Sequence, residues 1–264
     1  IFNNHETSGN DIWITSYYIT DIDIYLDKIT VDTTNPYFIE CIRTKSVVYG
    51  DTLSYTLYYN EAVLQQKYAD LYVSPQGDNA NSGLSASEPL KTIALAIQRI
   101  GADAQNPRTI HLANGIYGED QHFPLNLRSY VSIVGDSEAG VIFEDGGPTV
   151  FFEGLDSEKE VSIKNITFQG ALYQGFGKDT LIICSSIYDY TGTDKFSLTL
   201  ENISFLNIYP LHYNYTIGLV KLVHPERATL RNITVGNCMA NSAFYFWGDG
   251  VFADNVRIHN MHGS

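Results

Sequence analysis

Asp249, Asp254, Arg257, His259 and His262 crowd into the last stretch of the chain, and they are the residue types that move protons and hold ions. Carboxylates take up cations or protons, a guanidinium holds an anion, and imidazoles titrate near neutrality. Position argues for a second reading of the group. Asp254 and Arg257 flank Asn255, which belongs to a repeated phrase, so both also read as solvated outward positions of a repeat. Lys164, Glu201 and Arg231 stand just before their own repeat asparagines and read as ordinary surface residues. His111, His122, His212 and His224 are scattered. No nucleophile elbow, phosphate loop or zinc spacing occurs.

A second set of candidates is aromatic. Tyr173, Phe176, Tyr188 and Tyr190 lie between the first and second repeat phrases; Tyr209, His212, Tyr213 and Tyr215 lie between the second and third. Rings on exposed loops could stack on sugars, giving contact area at low entropic cost. Alternatively they pack over the corners of the fold. The loop at 76–83, rich in Asn, Asp, Gly and Ser, is oxygen-rich enough for a cation. It lacks the ligand spacing of an EF-hand and reads better as a self-bonded turn.

The elements that must position these groups are written in four near-identical phrases: Val161-Ser-Ile-Lys-Asn-Ile-Thr-Phe168, Leu198-Thr-Leu-Glu-Asn-Ile-Ser-Phe205, Ala228-Thr-Leu-Arg-Asn-Ile-Thr-Val235 and Val251-Phe-Ala-Asp-Asn-Val-Arg-Ile258. Apolar residues alternate before the Asn and again after it, with the phase slipped by one residue. That predicts two short strands with a sharp bend at Asn, a residue that tolerates left-handed backbone. Internal repetition of this kind predicts a solenoid. Four unrelated strand–turn–strand pieces of a sandwich are the weaker alternative. Asn165, Asn202, Asn232 and Asn255 are spaced by 37, 30 and 23 residues, so the longer steps carry insertions. Stacked coils would bring these four into one column, each amide bonded to its neighbours. Asn165-Ile-Thr, Asn202-Ile-Ser and Asn232-Ile-Thr also fit the glycosylation pattern; their place at the bend makes them structural.

The net charge of −14, from 30 acidic and 16 basic residues, argues against nucleic acid as a partner, which requires a basic stripe. Three cysteines, widely separated, imply no disulfide framework. No apolar run is long enough to span a membrane. The chain opens on Ile1 and stops directly after a repeat phrase, so we read it as an internal piece of a longer protein, truncated at its C-terminal end.

Residues 1–66 form a β-rich segment. In it, 24–31 matches the repeat with Lys28 at the Asn position, as the last coils of a preceding solenoid or a small β-domain would. From 67 to 264 we expect the main solenoid. Near its start, Leu90, Ile93, Ala94, Ile97 and Ile100 fall at helical spacing. Ser85 and Glu88 stand in capping-box spacing, Pro89 suits a first turn, and Gly101 ends the run, predicting one amphipathic helix over about 89–100. Its apolar stripe would cover the open end of the first coil, which otherwise exposes core and strand edges.

Tyr72-Val-Ser-Pro-Gln-Gly-Asp, Asn81-Ser-Gly-Leu, Pro89-Leu-Lys-Thr-Ile, Ile110-His-Leu-Ala-Asn-Gly-Ile-Tyr and Val131-Ser-Ile-Val-Gly together resemble the opening of right-handed parallel β-helix proteins of the pectate-lyase-like superfamily. More narrowly, they resemble the domain-of-unknown-function family that opens many secreted bacterial β-helix proteins. The resemblance is strong over 70–145 and rests on the repeat pattern beyond. It implies an all-β, right-handed parallel β-helix in a protein that is extracellular or at the bacterial cell surface. It does not choose an activity. For a lyase it implies an acidic Ca2+ cluster and a Lys or Arg base on one sheet face. The paired aspartates and Gly-His-Gly of β-helix polygalacturonases are absent, since Met261-His-Gly263 lacks the first Gly. Two functions follow. One is a noncatalytic segment for adhesion, surface display or glycan binding, needing no cofactor and contacting a polysaccharide or surface glycan. The other is a Ca2+-dependent lyase acting by β-elimination on uronate polymers, with Asp249, Asp254, Arg257 and His259 as its only candidates. The first is preferred because no convincing base is present.

Overall fold

The computed structural model describes residues 67–118, 120–121, 125–144, 152–154, 160–170, 182–185, 196–209, 219–223, 225–239, 242–248 and 250–262, with the strands at 12–16, 21–26, 42–46 and 54–59. Toward the N-terminus, β1 (Ile12–Ser16) and β2 (Asp21–Leu26) precede β3 (Ile42–Ser46) and β4 (Ser54–Tyr59). β1 pairs β3 and β2 pairs β4, both in parallel, with Ile12 opposite Ile42 and Asp21 opposite Ser54.

From β5 (Leu71–Val73) onward the chain is a right-handed parallel β-helix. One helix, α1 (Ile93–Arg99), follows β5. Then come β6 (Arg108–Leu112), β7 (Gly115–Tyr117), β8 (Leu125–Asn126), β9 (Val131–Gly135), β10 (Val141–Glu144) and β11 (Phe152–Gly154). The later coils contain β12 (Val161–Gly170), β13 (Ile182–Ser185), β14 (Phe196–Ile208), β15 (Val220–Val223), β16 (Pro225–Met239), β17 (Phe244–Trp247) and β18 (Val251–His262). Every pairing between these strands is parallel, and parallel strands joined by crossovers wind right-handed.

Three faces result. The first carries β5, β6, β9 and the leading halves of β12, β14, β16 and β18. The second carries β7, β10 and the trailing halves of those four long strands. The third carries β8, β11, β13, β15 and β17 in order. Ile110, Ile133, Ile163, Leu200, Leu230 and Ala253 are successive register partners, so the coils take 23, 30, 37, 30 and 23 residues.

Inward positions stack like on like. On the second face Tyr117, Phe143, Phe168 and Phe205 form one fully buried column, with ring centroids 5.5, 5.4 and 5.2 Å apart. Each such ring contributes roughly 1.5–3 kcal/mol by burial, and each well-placed pair roughly 0.5–1.5 kcal/mol more. The Tyr117 hydroxyl, unable to reach water, donates to the carbonyls of Ala113 and Val73 at 2.8 and 3.2 Å. Burial pushes its phenol far above the ordinary tyrosine value.

α1 closes the N-terminal end, packing against β5, β6 and β8 and burying Ile93, Ala96, Ile97 and the flanking Ile100. It is shorter than the sequence predicts, and the capping box is not used. Leu90 is taken by the sheet edge instead: its N–H donates to Tyr72 and its carbonyl accepts from Ser74, bridging it to Val73. The helix starts only after Thr92. The N–H groups at and just before its start go to distant side chains, with Asn79 Oδ1 accepting from Lys91 and the N-cap Thr92 and Gln121 Oε1 accepting from Ile93, all at 3.0 Å. Glu88 Oε2 instead accepts from Ser82, and the Glu88 N–H donates to the Ser85 carbonyl within a turn. Asn79, with the Asn81 amide on the Pro89 carbonyl, makes the 76–83 loop a self-bonded scaffold for this end.

Candidate functional site

Functional groups on a β-helix must come from outward positions, and register assigns those positions to ranks running along each face. The first face carries two. One is Thr109, Ser132, Ser162, Thr199, Thr229 and Phe252; the other is Tyr72, His111, Val134, Lys164, Glu201, Arg231 and Asp254. The second rank is electrically self-paired in its later half. Lys164 Nζ lies 3.0 Å from Glu201, and Arg231 stands 3.8 Å from both Glu201 and Asp254. Signs alternate rung by rung, so each carboxylate has a cation beside it. At its N-terminal end, His111 stacks on Tyr72 with centroids 4.8 Å apart and sits 3.3 Å from Asp70. Asp70 also accepts from the Thr109 N–H.

The corner between the first and second faces is made by the repeat asparagines. Asn165, Asn202, Asn232 and Asn255 have φ of 58, 54, 53 and 53°, the left-handed region that the one-residue phase slip requires. Each amide Nδ2 donates to the Oδ1 of the preceding coil: Asn202 to Asn165 at 2.8 Å, Asn232 to Asn202 at 2.9 Å, Asn255 to Asn232 at 2.8 Å. The first of the series, Asn165, donates to the Gly135 carbonyl at 3.0 Å. Pairing is continuous on both sides of the bend, so each phrase is one strand passing through its corner rather than the two separate strands the alternation suggests. Strand ladders hold residues on either side in register, and the Asn between them takes left-handed backbone.

A second column went unread in the sequence. Asn207, Asn237 and Asn260 have φ of 54, 52 and 50°, and Gly170 in the coil before has φ of 103°. Asn237 donates to Asn207 at 3.3 Å and Asn260 to Asn237 at 3.0 Å. The signal was available: an Asn or Gly stands five residues after every repeat Asn.

The C-terminal cluster does not come together. Asp254 lies on the first face against Arg231, whereas Arg257 and His259 lie past the Asn255 bend on the second face. The His259 ring covers Gly236, where an added Cβ would meet Nε2 at 2.7 Å. Asp249 lies outside the described residues. Of the aromatic candidates, Tyr209 is 44% exposed at the end of β14; Tyr173, Phe176, Tyr188, Tyr190, Tyr213 and Tyr215 lie outside the described residues. From the loop between β9 and β10, Glu138 clasps two later coils, its carbonyl accepting from Thr167 Oγ1 at 2.9 Å and its carboxylate from Ser204 Oγ. Among the described residues, no group of three or more His, Cys, Asp and Glu could hold a metal ion, and no helix is long and apolar enough to cross a membrane.

Residues 75–193 match a family model described as a protein of unknown function, DUF1565. No curated protein matches the chain. Among solved structures, pectin methylesterase PemA from Erwinia chrysanthemi is similar, with 14% sequence identity and a TM-score of 0.42. The match covers 67% of this chain and 53% of that one, so the chain spans about half the length of this relative.

Proposed function

We propose that this chain is a noncatalytic β-helix segment of a secreted or cell-surface bacterial protein, serving adhesion, surface display or glycan binding. The observation that carries this reading is the use of the outward charges. Glu201 and Asp254 are held by Lys164 and Arg231 on one face, and Arg257 and His259 stand on another. An elimination of the lyase type needs acids converging on one groove beside an available base. The alternating rank instead sets a cation beside each of these carboxylates. The four described strands within 1–66 are compatible with coils of the same kind, because both of their pairings are parallel and recur after 30 and 33 residues.

Incubating the chain with a panel of uronate polymers, with and without Ca2+, tests the reading. Ultraviolet absorbance should not rise above the buffer control, while affinity electrophoresis in gels cast with plant and microbial polysaccharides should retard the chain in at least one. Calcium-dependent formation of unsaturated products would overturn it in favour of a polysaccharide lyase.

A further inference from the structure

The two ends of the main solenoid are finished differently. At the N-terminal end α1 covers the core, and Leu90 bonds to Tyr72 and Ser74, so the outer edge of β5 is taken. At the other end β18 and β17 are the last strands of their sheets, each with one edge unpaired among the described residues. β18 runs for 12 residues without a proline or a lysine. Long edges are ordinarily blunted by such residues, because their unpaired N–H and C=O groups template another strand. The inward positions are open too. Ile258 stands opposite the buried Val235, and Phe246 opposite the buried Leu222, yet the two are 50% and 39% exposed. Side chains that close the core one coil earlier are here bare on one side.

Three features of this edge state what would fit it. Each column amide donates toward the preceding coil, so each column ends in an acceptor. Among the described residues nothing donates to Oδ1 of Asn255 or of Asn260. These acceptors stand five residues apart on one strand, at left-handed bends with φ of 53 and 50°. Signs also alternate along Lys164, Glu201, Arg231 and Asp254. The Asp254 side chain is 78% exposed and has a cation on one side only among the described residues. The matching strand therefore lies parallel and in register, with donors at both bends and a cation one residue before the first. Inward Val251, Ala253, Val256, Ile258 and Met261 call for apolar residues in the same places. β16 already has this pattern: Arg231, Asn232 and Asn237 among inward Ala228, Leu230, Ile233, Val235 and Cys238. Polarity speaks against a second copy of the chain. End to end about a two-fold axis, it would bring acceptor-ended columns together and pair β18 antiparallel to itself. A main solenoid entering by its N-terminal end would present α1 rather than an open coil.

We propose that the open edge of β17 and β18 is a docking surface for one further coil of the repeat's own kind, selected by the two asparagine columns and by the alternating charges. This surface is independent of the glycan-binding reading above.

The β16 sequence, as a fluorescently labelled peptide of residues 225–239, is the probe. Added to the full chain, it should bind saturably by anisotropy. Hydrogen exchange should slow along β18 and not along β5, whose edge is taken. Asn232→Ala and Asn237→Ala together in the peptide should weaken binding at least tenfold, and Arg231→Glu in the peptide severalfold. Asp254→Lys in the chain should reverse that last preference, favouring the Arg231→Glu peptide over the unaltered one. Binding that ignores both asparagines and the charge would overturn the proposal, as would the absence of saturable binding by any of the peptides. Sedimentation showing that the chain alone dimerises, with its β18 amides protected, would also overturn it, because the occupant would then be a second copy.

Discussion

The early and late coils turn the same corner in different ways. In the first two, β6 stops at Leu112 before β7, and β9 stops at Gly135 before β10, with loops between. The second loop is pinned from outside, with the Ser137 hydroxyl on Asn114 and Glu138 reaching forward to Thr167 and Ser204. From β12 onward no loop remains, and a single left-handed Asn in each coil does the same work. The early loops bond partly within themselves, as Gly140 and Val141 do to the Ser137 carbonyl, and partly to neighbouring coils, as Ala113 does to Val73 and Asp136 to Leu112, and they differ in length. A laddered residue is satisfied only by its neighbours above and below, so its identity is fixed by stacking. Gly135 is the junction between the two solutions, giving its carbonyl to the first Asn of the column.

The largest effect should come from disturbing that junction. An added Cβ at Gly135 would collide with the Asn165 carbonyl and crowd Val141 at 2.9 Å. Gly135→Ala should therefore destabilise the solenoid by about 3 kcal/mol, the upper end of overpacking costs, read as a lower midpoint in urea. A midpoint within error of wild type would mean that the junction is pliable and that the two corner types are interchangeable.

A smaller effect separates the regions by pH. Tyr117 belongs to the early coils, and its phenol is held neutral chiefly by burial. A raised folded-state pKa contributes stability that is complete below the unfolded value of about 10 and fades as pH rises above it. Thermal midpoints should fall more steeply above pH 10 in wild type than in Tyr117→Phe, whose own cost at neutral pH is about 1 kcal/mol from the lost hydrogen bonds. Parallel alkaline profiles would remove Tyr117 from the account.

The late coils were the more legible in sequence, and the reason is physical. A bend that shifts the alternation by one residue leaves a local mark, and stacking forces the mark to repeat at Asn165, Asn202, Asn232 and Asn255. The second column repeats as faithfully, yet Asn207, Asn237 and Asn260 follow a strand that already reads as complete, so nothing local calls for another bend. The helix was placed correctly by its stripe and started too early. Its true N-terminal partners, Asn79 and Gln121, lie 13 and 28 residues away, where no local capping pattern looks. The Glu138 clasp spans 66 residues and leaves no trace in spacing. On β17 the sequence gives no sign of facing, because only register separates Tyr245 and Trp247 from Phe244 and Phe246.

The central claim is that the asparagine column, and not the charged rank beside it, holds the late coils together. The direct test is equilibrium unfolding of Asn202→Leu against Glu201→Leu, neighbours in one strand. Asn202→Leu removes two amide bonds and forces a branched residue into left-handed backbone, together about 3 kcal/mol. Glu201→Leu removes partly exposed ion pairs and should cost under about 1 kcal/mol. A midpoint clearly lower for Asn202→Leu supports the claim; equal midpoints for the two variants would contradict it.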